Sequence, residues 1–391
     1  MSSILSNRVQ KVKPSATLAV TAKANELKAK GVKVVPMGSG EPDFDTPSNI
    51  QKAAVDAIRG GQTRYTAVDG TAELKSAIRE KFLRDNNLKY SANEVMASCG
   101  GKQVFYNLCQ AILNKDDEVI IPGPYWVSYP DMAILADATP VIIETGLDQD
   151  FKITPEQLES SITKKSKLLV LNSPSNPTGA VYTREEIEEL GKVLERHPQV
   201  YIISDDIYEH ILLGDDDFVN IAMACPKLKD RTIILNGVSK AYAMTGWRIG
   251  YAAGPEDIIK AMKKIQGQST SNPTSIAQAA AVEALNGEQT FIKTMVEAFS
   301  RRHAFLLESL NAIDGIQCPR SSGAFYSFPK VQGLIDRLGL SDDVEFATYC
   351  LEKLNIALVP GSAFGAPGYA RFSFATSMDN IKEAVDRLAN A

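Results

Sequence analysis

Five short apolar runs in the middle of the chain are each followed by residues that could take part in chemistry. In chain order, the five segments are Gly100-Gly-Lys102, Pro124-Tyr-Trp126, Asn176-Pro-Thr-Gly179, Asp205-Asp-Ile-Tyr208 and Ser239-Lys240. In an open parallel sheet the carboxyl ends of the strands share one edge, and ligands bind at that edge. We therefore expect the five segments to meet in space, although they lie far apart in the sequence.

The amine of Lys240 is the most reactive group in these segments. It stands between an apolar run and a turn that contains Gly246 and Trp247. A lysine whose pKa is lowered by its surroundings can attack a carbonyl group and then carry a proton. Asp205 could supply the carboxylate that a buried cation requires. Asp206 is the rival, but strand alternation points these two neighbouring side chains in opposite directions. The alternatives are a surface lysine and a solvated acidic turn.

Two further features predict anion binding. Gly100 and Gly101 lie between a predicted strand and a predicted helix, where free backbone N–H groups and the helix dipole favour an anion. Arg248 would add charge-assisted hydrogen bonds to the same anion. Arg371, at the start of an apolar strand, could hold a carboxylate through two parallel hydrogen bonds. The alternative for Arg371 is an ordinary charge on an edge strand.

Composition limits the partners and the compartment. The 391 residues carry a net charge of −5 without a dense Lys/Arg block, so nucleic acid and anionic membranes are poor partners. The five cysteines include no C-x-x-C pair and fit a reducing cytoplasm. Residues 1–10 lack the apolar core of a signal peptide, and no run approaches the roughly 18 to 20 apolar residues of a membrane span. We expect a cytoplasmic protein.

Metal and serine-hydrolase chemistry are not favoured. The three histidines, His197, His210 and His303, do not lie at metal-ligand spacing from one another or from a cysteine, so we expect no metal site. The sequence also lacks the G-x-S-x-G motif of a nucleophile elbow.

The elements that must position these residues alternate in type. Apolar runs of strand length are separated by helix-like segments, which predicts an α/β fold with a mostly parallel sheet flanked by helices. The predicted strands are Val95–Ser98, Glu118–Ile121, Lys167–Leu171, Val200–Ser204, Arg231–Leu235 and Arg248–Ala253. Thr183 begins a predicted capping box that opens a helix over 185–195. After Pro273 the pattern indicates helices and then short strands, typical of a smaller α+β domain.

Motifs spread over nearly the whole chain resemble those of the fold-type I pyridoxal-phosphate-dependent aminotransferases of class I. Within that family, the chain most resembles the bacterial branch of aspartate aminotransferases. The motifs, which occur in the order of that family, are Gly40-Glu-Pro-Asp-Phe44, Tyr65, the five segments above, Arg248 and Arg371. The resemblance implies an N-terminal arm (1–13), a large cofactor-binding domain (48–285) and a small domain built from 14–47 and 286–391.

By this resemblance, pyridoxal 5′-phosphate is the cofactor and Lys240 forms a Schiff base with it and then transfers protons. Asp205 would keep the pyridine nitrogen protonated. Tyr208 and Asn176 would hydrogen-bond the phenolic oxygen, and Trp126 would stack on the ring. The phosphate would lie against Gly100, Gly101 and Arg248. Asp206 departs mildly from the family, which usually has glutamate there.

The resemblance also implies how substrates bind. Arg371, helped by Asn176 and the backbone at Gly40, would hold the α-carboxylate of the amino acid. Lys102 would meet the distal carboxylate, against the alternative of a solvated lysine in the first turn of a helix. The same pocket would include Ser15 and Thr17.

A second chain is expected as well. Tyr65 matches a residue that family members donate to the phosphate of the neighbouring subunit, which implies a homodimer with shared active sites. Pro124 and Pro177 occupy positions where relatives have cis peptide bonds.

The expected reaction is the transfer of an amino group from an acidic amino acid, aspartate before others, to 2-oxoglutarate by a ping-pong mechanism. Three alternatives remain open at this point. The first is an aminotransferase for aromatic amino acids, prephenate or another substrate, and the second is a lyase on the same fold. The third is a non-enzymatic sensor domain, which would carry a DNA-binding segment that residues 1–40 do not resemble.

Overall fold

A computed structural model describes residues 4–12, 16–214 and 217–391, with the backbone alone described for residues 16–19 and 21. The strands in these ranges are β1 Val35–Pro36, β2 Val95–Ser98, β3 Glu118–Pro122, β4 Thr139–Ile143, β5 Ser166–Asn172, β6 Tyr201–Asp205, β7 Thr232–Gly237, β8 Gly250–Ala253, β9 Tyr326–Ser327, β10 Ile356–Ala357, β11 Val359–Pro360 and β12 Ala370–Ser373.

The helices in the same ranges are α1 Asn7–Lys11, α2 Ala16–Ala29, α3 Ser48–Arg59, α4 Ala72–Asn86, α5 Gly101–Ile112, α6 Ser128–Leu135, α7 Pro155–Ser161, α8 Arg184–Glu195, α9 Ile221–Ala224, α10 Glu256–Gly267, α11 Ser275–Asn286, α12 Thr290–Asn311, α13 Gln332–Arg337, α14 Asp343–Glu352 and α15 Met378–Ala389. Within the described residues, none of these helices is long and apolar enough to cross a bilayer.

The central sheet has the strand order β2-β8-β7-β6-β5-β3-β4. All its strands run parallel except β8, which is antiparallel to both of its neighbours. This arrangement confirms the predicted α/β fold with a mostly parallel sheet. The five strands that precede the predicted site segments therefore end at one edge. Because β8 runs the other way, Arg248 enters the sheet from that same edge.

Helices cover both faces of the sheet. This explains why its strands read as continuous apolar runs, in which β2, β7 and β8 are buried at every position. One apolar core contains residues of α5, α6 and α10 with the sheet, and another contains residues of α4, α11 and β2. The predicted capping box of Thr183 is present at the start of α8, where the side chains of Thr183 and Glu186 each accept a backbone N–H of the other residue.

The predicted strand from Arg248 to Ala253 begins two residues later than expected. Arg248 is in the left-handed region (φ 58°), and regular pairing with β7 begins at Gly250. The positive φ of Arg248 breaks the extended geometry of a strand. Gly250 itself packs closely on the loop after β2, since a Cβ there would lie 2.3 Å from the backbone nitrogen of Gly101. The chain turns at Arg248 and then passes directly under the loop after β2.

A second group of elements joins the two ends of the chain. Strands β11, β12 and β9 form an antiparallel sheet, and β1 pairs in parallel with β10. Val35 and Met37 share an apolar core with side chains of α12, α14 and α15. The segment after β1 therefore lies at the carboxyl edge of the central sheet, together with Arg371 on β12.

Candidate active site

A cavity of about 300 Å³ opens at the carboxyl edge of the central sheet. The residues that line it include most of those predicted from the sequence: Gly40, Gly101, Lys102, Trp126, Asn176, Asp205, Tyr208, Lys240, Arg248 and Arg371. The predicted convergence of the five segments is therefore present, with Gly100 directly adjacent to the lining residue Gly101.

Lys240 follows β7 and projects into this cavity. Its Nζ donates a hydrogen bond to the backbone oxygen of Gly40 at 2.6 Å. Burial, followed by the nearby charge of Arg371, lowers the pKa of Lys240 to about 8. More of this amine is therefore neutral near pH 7 than of an ordinary lysine, and the neutral amine is the form that attacks a carbonyl.

Asp205 and Asp206 point away from each other, as strand alternation predicts. One carboxylate oxygen of Asp205 accepts a hydrogen bond from the hydroxyl of Tyr129 at 2.5 Å, and the other accepts the N–H of Ile207 at 3.3 Å. Asp206 lies outside the cavity lining and accepts hydrogen bonds from Ser204 and Asn220 instead. Burial raises the pKa of Asp205 to about 6, and the hydrogen bonds from Tyr129 and Ile207 limit this rise. Asp205 is thus the acid that can pair with a cationic ring in the cavity.

Arg371 lies at the floor of the site between two aromatic rings. Its guanidinium carbon is 4.3 Å from the ring centre of Tyr326 and 5.0 Å from that of Phe364. Its terminal nitrogens donate to Asn176 Oδ1 at 2.7 Å and to the backbone oxygen of Gly38 at 3.0 Å. Within the described residues, its buried Nε has no hydrogen-bond partner. A buried guanidinium with an unsatisfied donor suits an anionic ligand such as a carboxylate.

The loop between β2 and α5 brings Gly100 and Arg248 together, as the predicted anion cradle requires. Gly100 has a φ of 88°, and a Cβ there would lie 2.3 Å from a terminal nitrogen of Arg248. Arg248 donates to the backbone oxygens of Cys99 and Thr245. The N-terminus of α5 and a guanidinium therefore face the same point, an arrangement that binds phosphate.

Lys102 lies in the first turn of α5 and reaches the cavity. Its Nζ donates to Ser128 Oγ at 3.0 Å and is 5.0 Å from the ring centre of Trp126. Burial, followed by the charge of Arg248, lowers the pKa of Lys102. An amine in this position can meet a carboxylate that enters the cavity.

Sequence reasoning missed two tyrosines of the site. Tyr129 donates to Asp205, and the hydroxyl of Tyr326 is 2.8 Å from that of Tyr208. Tyr129 lies in the first turn of α6, three residues after Trp126, and this short distance in the sequence from a predicted site residue is a signal for it. Tyr326 is brought in by a small strand from a distant part of the chain, for which no local pattern exists.

Three predicted site residues are not among the described residues that line the cavity. Tyr65 is 92% exposed and does not line it. Ser15 lies outside the described residues, and so does the side chain of Thr17, whose backbone belongs to α2. The predicted cis peptide bonds before Pro124 and Pro177 are present, and a further one precedes Pro174.

A cluster of charged groups lies outside the cavity lining. Ligand atoms of Asp85, Glu209 and His210 lie within 4.8 Å of one another, a grouping that the sequence spacing did not predict. The ammonium of Lys81 contacts Glu209 directly and donates to Asn86 Oδ1 at 2.8 Å. The chain thus supplies its own cation to these carboxylates.

The groups of Lys240, Asp205 and the Gly100 loop meet at the carboxyl edge of an α/β sheet that has the fold of the fold-type I pyridoxal-phosphate enzymes. The family model described as aminotransferase class I and II matches residues 32–388, so the chain belongs to this family of aminotransferases, which use pyridoxal 5′-phosphate.

Close relatives cover the whole chain. It is 58% identical to an aspartate/prephenate aminotransferase from Nitrosomonas europaea, with 99% of each chain covered. Among solved structures, it is similar to the aspartate aminotransferase from Rhizobium meliloti, with a TM-score of 0.95, 46% identity and coverage of 100% of this chain and 99% of that one. It is also similar to the aspartate aminotransferase from Thermus thermophilus with maleate, with a TM-score of 0.94, 44% identity and full coverage of both chains.

Proposed function

We propose that this aminotransferase takes the amino group of an acidic amino acid, aspartate before others, and transfers it to 2-oxoglutarate by a ping-pong mechanism. The observation that carries the proposal is that Lys102 lines the same cavity as Arg371, in addition to Lys240 and Arg248, which the cofactor would engage. Two cations suit a dicarboxylic substrate, because each carboxylate gains a charge-assisted hydrogen bond. The names of the relatives agree with this choice.

The residues of the cavity fit pyridoxal phosphate. When bound, this group supplies an electron sink for the charge left on the substrate Cα after its proton is removed. Lys240 would hold the cofactor and then carry the proton between Cα and C4′. Asp205 would keep the ring nitrogen protonated. Tyr208 and Asn176 would hydrogen-bond the phenolic oxygen, and Trp126 would cover one face of the ring.

The remaining residues would bind the charged ends of cofactor and substrate. Backbone N–H groups at Gly100 and Gly101 and the guanidinium of Arg248 would hold the phosphate. The α-carboxylate would reach Arg371, whose buried Nε lacks a partner within the described residues. The distal carboxylate would meet Lys102. Gly40 and Asn176 would complete the grip on the substrate, and Ser15 and Thr17 are proposed to line the same pocket.

We also propose that the working enzyme is a homodimer in which Tyr65 reaches the phosphate of the neighbouring subunit. The high exposure of this tyrosine supports a role outside its own cavity. The shared apolar core of Val35, Met37 and residues 295–388 supports a small domain built from 14–47 and 286–391, beside a large domain of 48–285 and an arm of 1–13. The cysteines within the described residues are all free, which supports a cytoplasmic location.

Prephenate is a second candidate acceptor. The relative from Nitrosomonas europaea is named for both aspartate and prephenate. The distal cation in this chain is a lysine on a flexible stem, held at Ser128 rather than in a rigid fork. Such a cation could reach carboxylates at different depths in the cavity, including one on a ring-bearing oxo acid.

The test is the visible absorption of the purified protein loaded with pyridoxal phosphate. Adding aspartate without an oxo acid should abolish this absorption and release one equivalent of oxaloacetate per site. Later addition of 2-oxoglutarate, or of prephenate, should restore it. Protein that ignores aspartate but responds to another amino acid would overturn the acidic preference. Protein that stays colourless with the cofactor would overturn the whole proposal.

A matched variant tests the role of Lys102. Lys102→Met retains the stem of the side chain and removes its charge, so the KM for aspartate should rise by about tenfold or more. The KM for alanine, which has no distal carboxylate, should change much less. An equal change for both donors would argue against contact between Lys102 and the distal carboxylate.

A further inference from the structure

The segment of residues 37–46, here called the strap, lies beside the cavity, which its Gly40 lines. It lies between the end of β1 and the start of α3 and has no regular secondary structure of its own. Its position is therefore set by contacts rather than by a hydrogen-bonded ladder. The strap contains the Gly40-Glu-Pro-Asp-Phe44 motif, of which only Gly40 has a role in the function proposed above.

Three backbone oxygens of the strap accept hydrogen bonds from residues in the site or next to it. Gly40 accepts a hydrogen bond from Lys240 Nζ at 2.6 Å, and Gly38 accepts one from Arg371 at 3.0 Å. Met37 accepts the backbone N–H of Ser373 at 2.7 Å. A displacement of the strap would therefore disturb the reactive amine and the guanidinium that is proposed to bind substrate.

Side chains of the strap also hold the loop that carries Lys240. The hydroxyl of Thr245 donates to Glu41 Oε2 at 2.7 Å, and the indole of Trp247 donates to Thr46 Oγ1 at 3.0 Å. Thr46 in turn donates to the backbone oxygen of Ala243 at 2.7 Å. The strap and this loop thus fix each other. On the far side, the ring of Phe44 packs edge-to-face against Phe291 and Phe299 of α12.

Asp43 and Arg302 add an ion pair between the strap and the same helix. The guanidinium of Arg302, on α12, donates to both carboxylate oxygens of Asp43, at 2.7 and 3.0 Å. It also lies 5.5 Å from the ring centre of Phe44 and 5.7 Å from that of Phe299. The side chain of Arg302 is only 14% exposed and that of Asp43 27% exposed. Two parallel hydrogen bonds in a partly buried place fix an orientation more strongly than a single surface ion pair.

We propose that Asp43 and Arg302 form a positioning pair, which holds the strap so that Gly40 meets Lys240 and Gly38 meets Arg371. Neither member of the pair lines the cavity, so the pair acts through the strap and not on the substrate. Without it, the strap would move away from Arg371 and leave this guanidinium poorly oriented for a carboxylate. The inference rests on the proposed function, because it assumes that Arg371 binds the substrate.

The test compares Arg302→Met with Arg301→Met in the protein loaded with pyridoxal phosphate. Arg301 is the matched control, since it is the adjacent arginine of α12 and is exposed. Succinate, a dicarboxylate without an amino group, serves as a binding probe in calorimetry. For Arg302→Met we expect the Kd of succinate and the KM of aspartate to rise about tenfold, with a smaller change in kcat. Arg301→Met should match the wild type.

A double-variant comparison tests whether the two residues act as a pair. Asp43→Asn, Arg302→Met and the double variant should all raise the Kd of succinate by similar factors, because the second change removes nothing further. Effects that multiply in the double variant would overturn the pair, and so would an Arg302→Met protein that binds succinate like Arg301→Met. Thermal unfolding midpoints are measured alongside, since a purely structural role would lower the midpoint without the change in Kd.

Failure of the proposed function has a different signature. A wild-type protein that neither binds succinate nor releases oxaloacetate from aspartate would overturn that function, and this inference with it. A wild-type protein that does both, while Arg302→Met behaves like its control, would overturn the positioning pair alone.

Discussion

At the scale of single residues, the ionisation of Asp205 depends on two opposing influences. Burial raises the pKa of its carboxyl to about 6, whereas the hydrogen bonds from Tyr129 and from the N–H of Ile207 favour the ionised form. The carboxylate must be ionised to pair with a protonated ring nitrogen. Tyr129 therefore contributes to the site although it touches no proposed substrate atom.

Tyr129→Phe removes only the donor to Asp205. The pKa of the Asp205 carboxyl should then rise further, and activity is lost as the pH falls through that pKa. The acid limb of the kcat/KM profile should move to higher pH, by on the order of one unit. The profile is measured with aspartate and 2-oxoglutarate. Tyr106→Phe, which changes a tyrosine of α5 outside the cavity lining, is the control, and identical profiles for both variants would contradict the role of Tyr129.

The sequence predicted the site residues that stand at strand ends, such as Lys240 and Asp205, because a buried strand followed by a polar residue is a local pattern. It did not predict the partners that set their chemistry. Tyr129 and Tyr326 resemble ordinary core aromatics in the sequence, and only the fold brings their hydroxyls to Asp205 and Tyr208. The hydrogen bond between Gly40 and Lys240 is of the same kind, since it joins residues that are 200 positions apart in the sequence.

At the scale of elements, the proposed phosphate cradle depends on how closely two loops approach each other. Gly100, at the junction of β2 and α5, faces Arg248, which precedes β8. A glycine is required at position 100 for two reasons: its φ is positive, and a side chain would occupy the space of the guanidinium.

Gly100→Ala should therefore displace Arg248 and weaken cofactor binding. We expect the Kd for pyridoxal phosphate to rise about tenfold or more, since a charge-assisted hydrogen bond contributes roughly 1.5 to 3 kcal/mol. The Kd is measured by titrating the cofactor-free protein and following visible absorption. Gly246→Ala is the control, because an added Cβ there meets nothing within 4 Å. Equal affinities of the two variants would contradict the assigned cradle.

The buried charge cluster ties α4 to the loop after β6. Lys81 is fully buried against Glu209, which also accepts hydrogen bonds from Asn86 and Asn236. Burial alone would raise the pKa of Glu209, but Lys81 and the other partners lower it from the usual 4.5 to about 2. The ionised carboxylate therefore stabilises the folded state fully above about pH 4.5, and this contribution is lost as the pH falls towards 2.

Glu209→Gln should reduce the free energy of unfolding at neutral pH by about 3 to 5 kcal/mol, because Lys81 is left as a buried cation without its counter-charge. The difference from the wild type should shrink as the pH falls below 4.5. Urea unfolding at several pH values measures both effects. Glu195→Gln, which removes an exposed partner of Lys227, should cost at most about 1 kcal/mol. A Glu209→Gln protein as stable as this control would contradict the importance of the buried pair.

At the scale of the whole molecule, local patterns indicated the large α/β part but not how the two ends of the chain meet. Strand β1 pairs with β10, and both are only two residues long, too short for a periodic signal. The predicted joining of residues 14–47 to the C-terminal third did not come from any periodic pattern in these short strands. In physical terms, such pairings depend on tertiary packing, as in the core that Val35 and Met37 share with α12, α14 and α15.

The proposed dimer leads to a prediction about mixed subunits. Tyr65 is 92% exposed and lies outside its own cavity lining, whereas Lys240 lies within it. If Tyr65 completes the site of the neighbouring subunit, a dimer of one Lys240→Ala chain and one Tyr65→Ala chain contains one intact site. That site combines Lys240 of the Tyr65→Ala chain with the tyrosine donated by the Lys240→Ala chain. The other site carries both changes.

Each variant alone should be impaired. Lys240→Ala should lose roughly 10² or more in turnover because the proton carrier is missing, and Tyr65→Ala should need more pyridoxal phosphate for saturation. Unfolding and refolding the two variants together at limiting cofactor should recover activity, up to about one quarter of the wild-type value if half of the dimers are mixed and each has one working site. Each variant refolded alone should show no such gain. If the mixture has only the mean activity of its components, Tyr65 does not serve the neighbouring subunit.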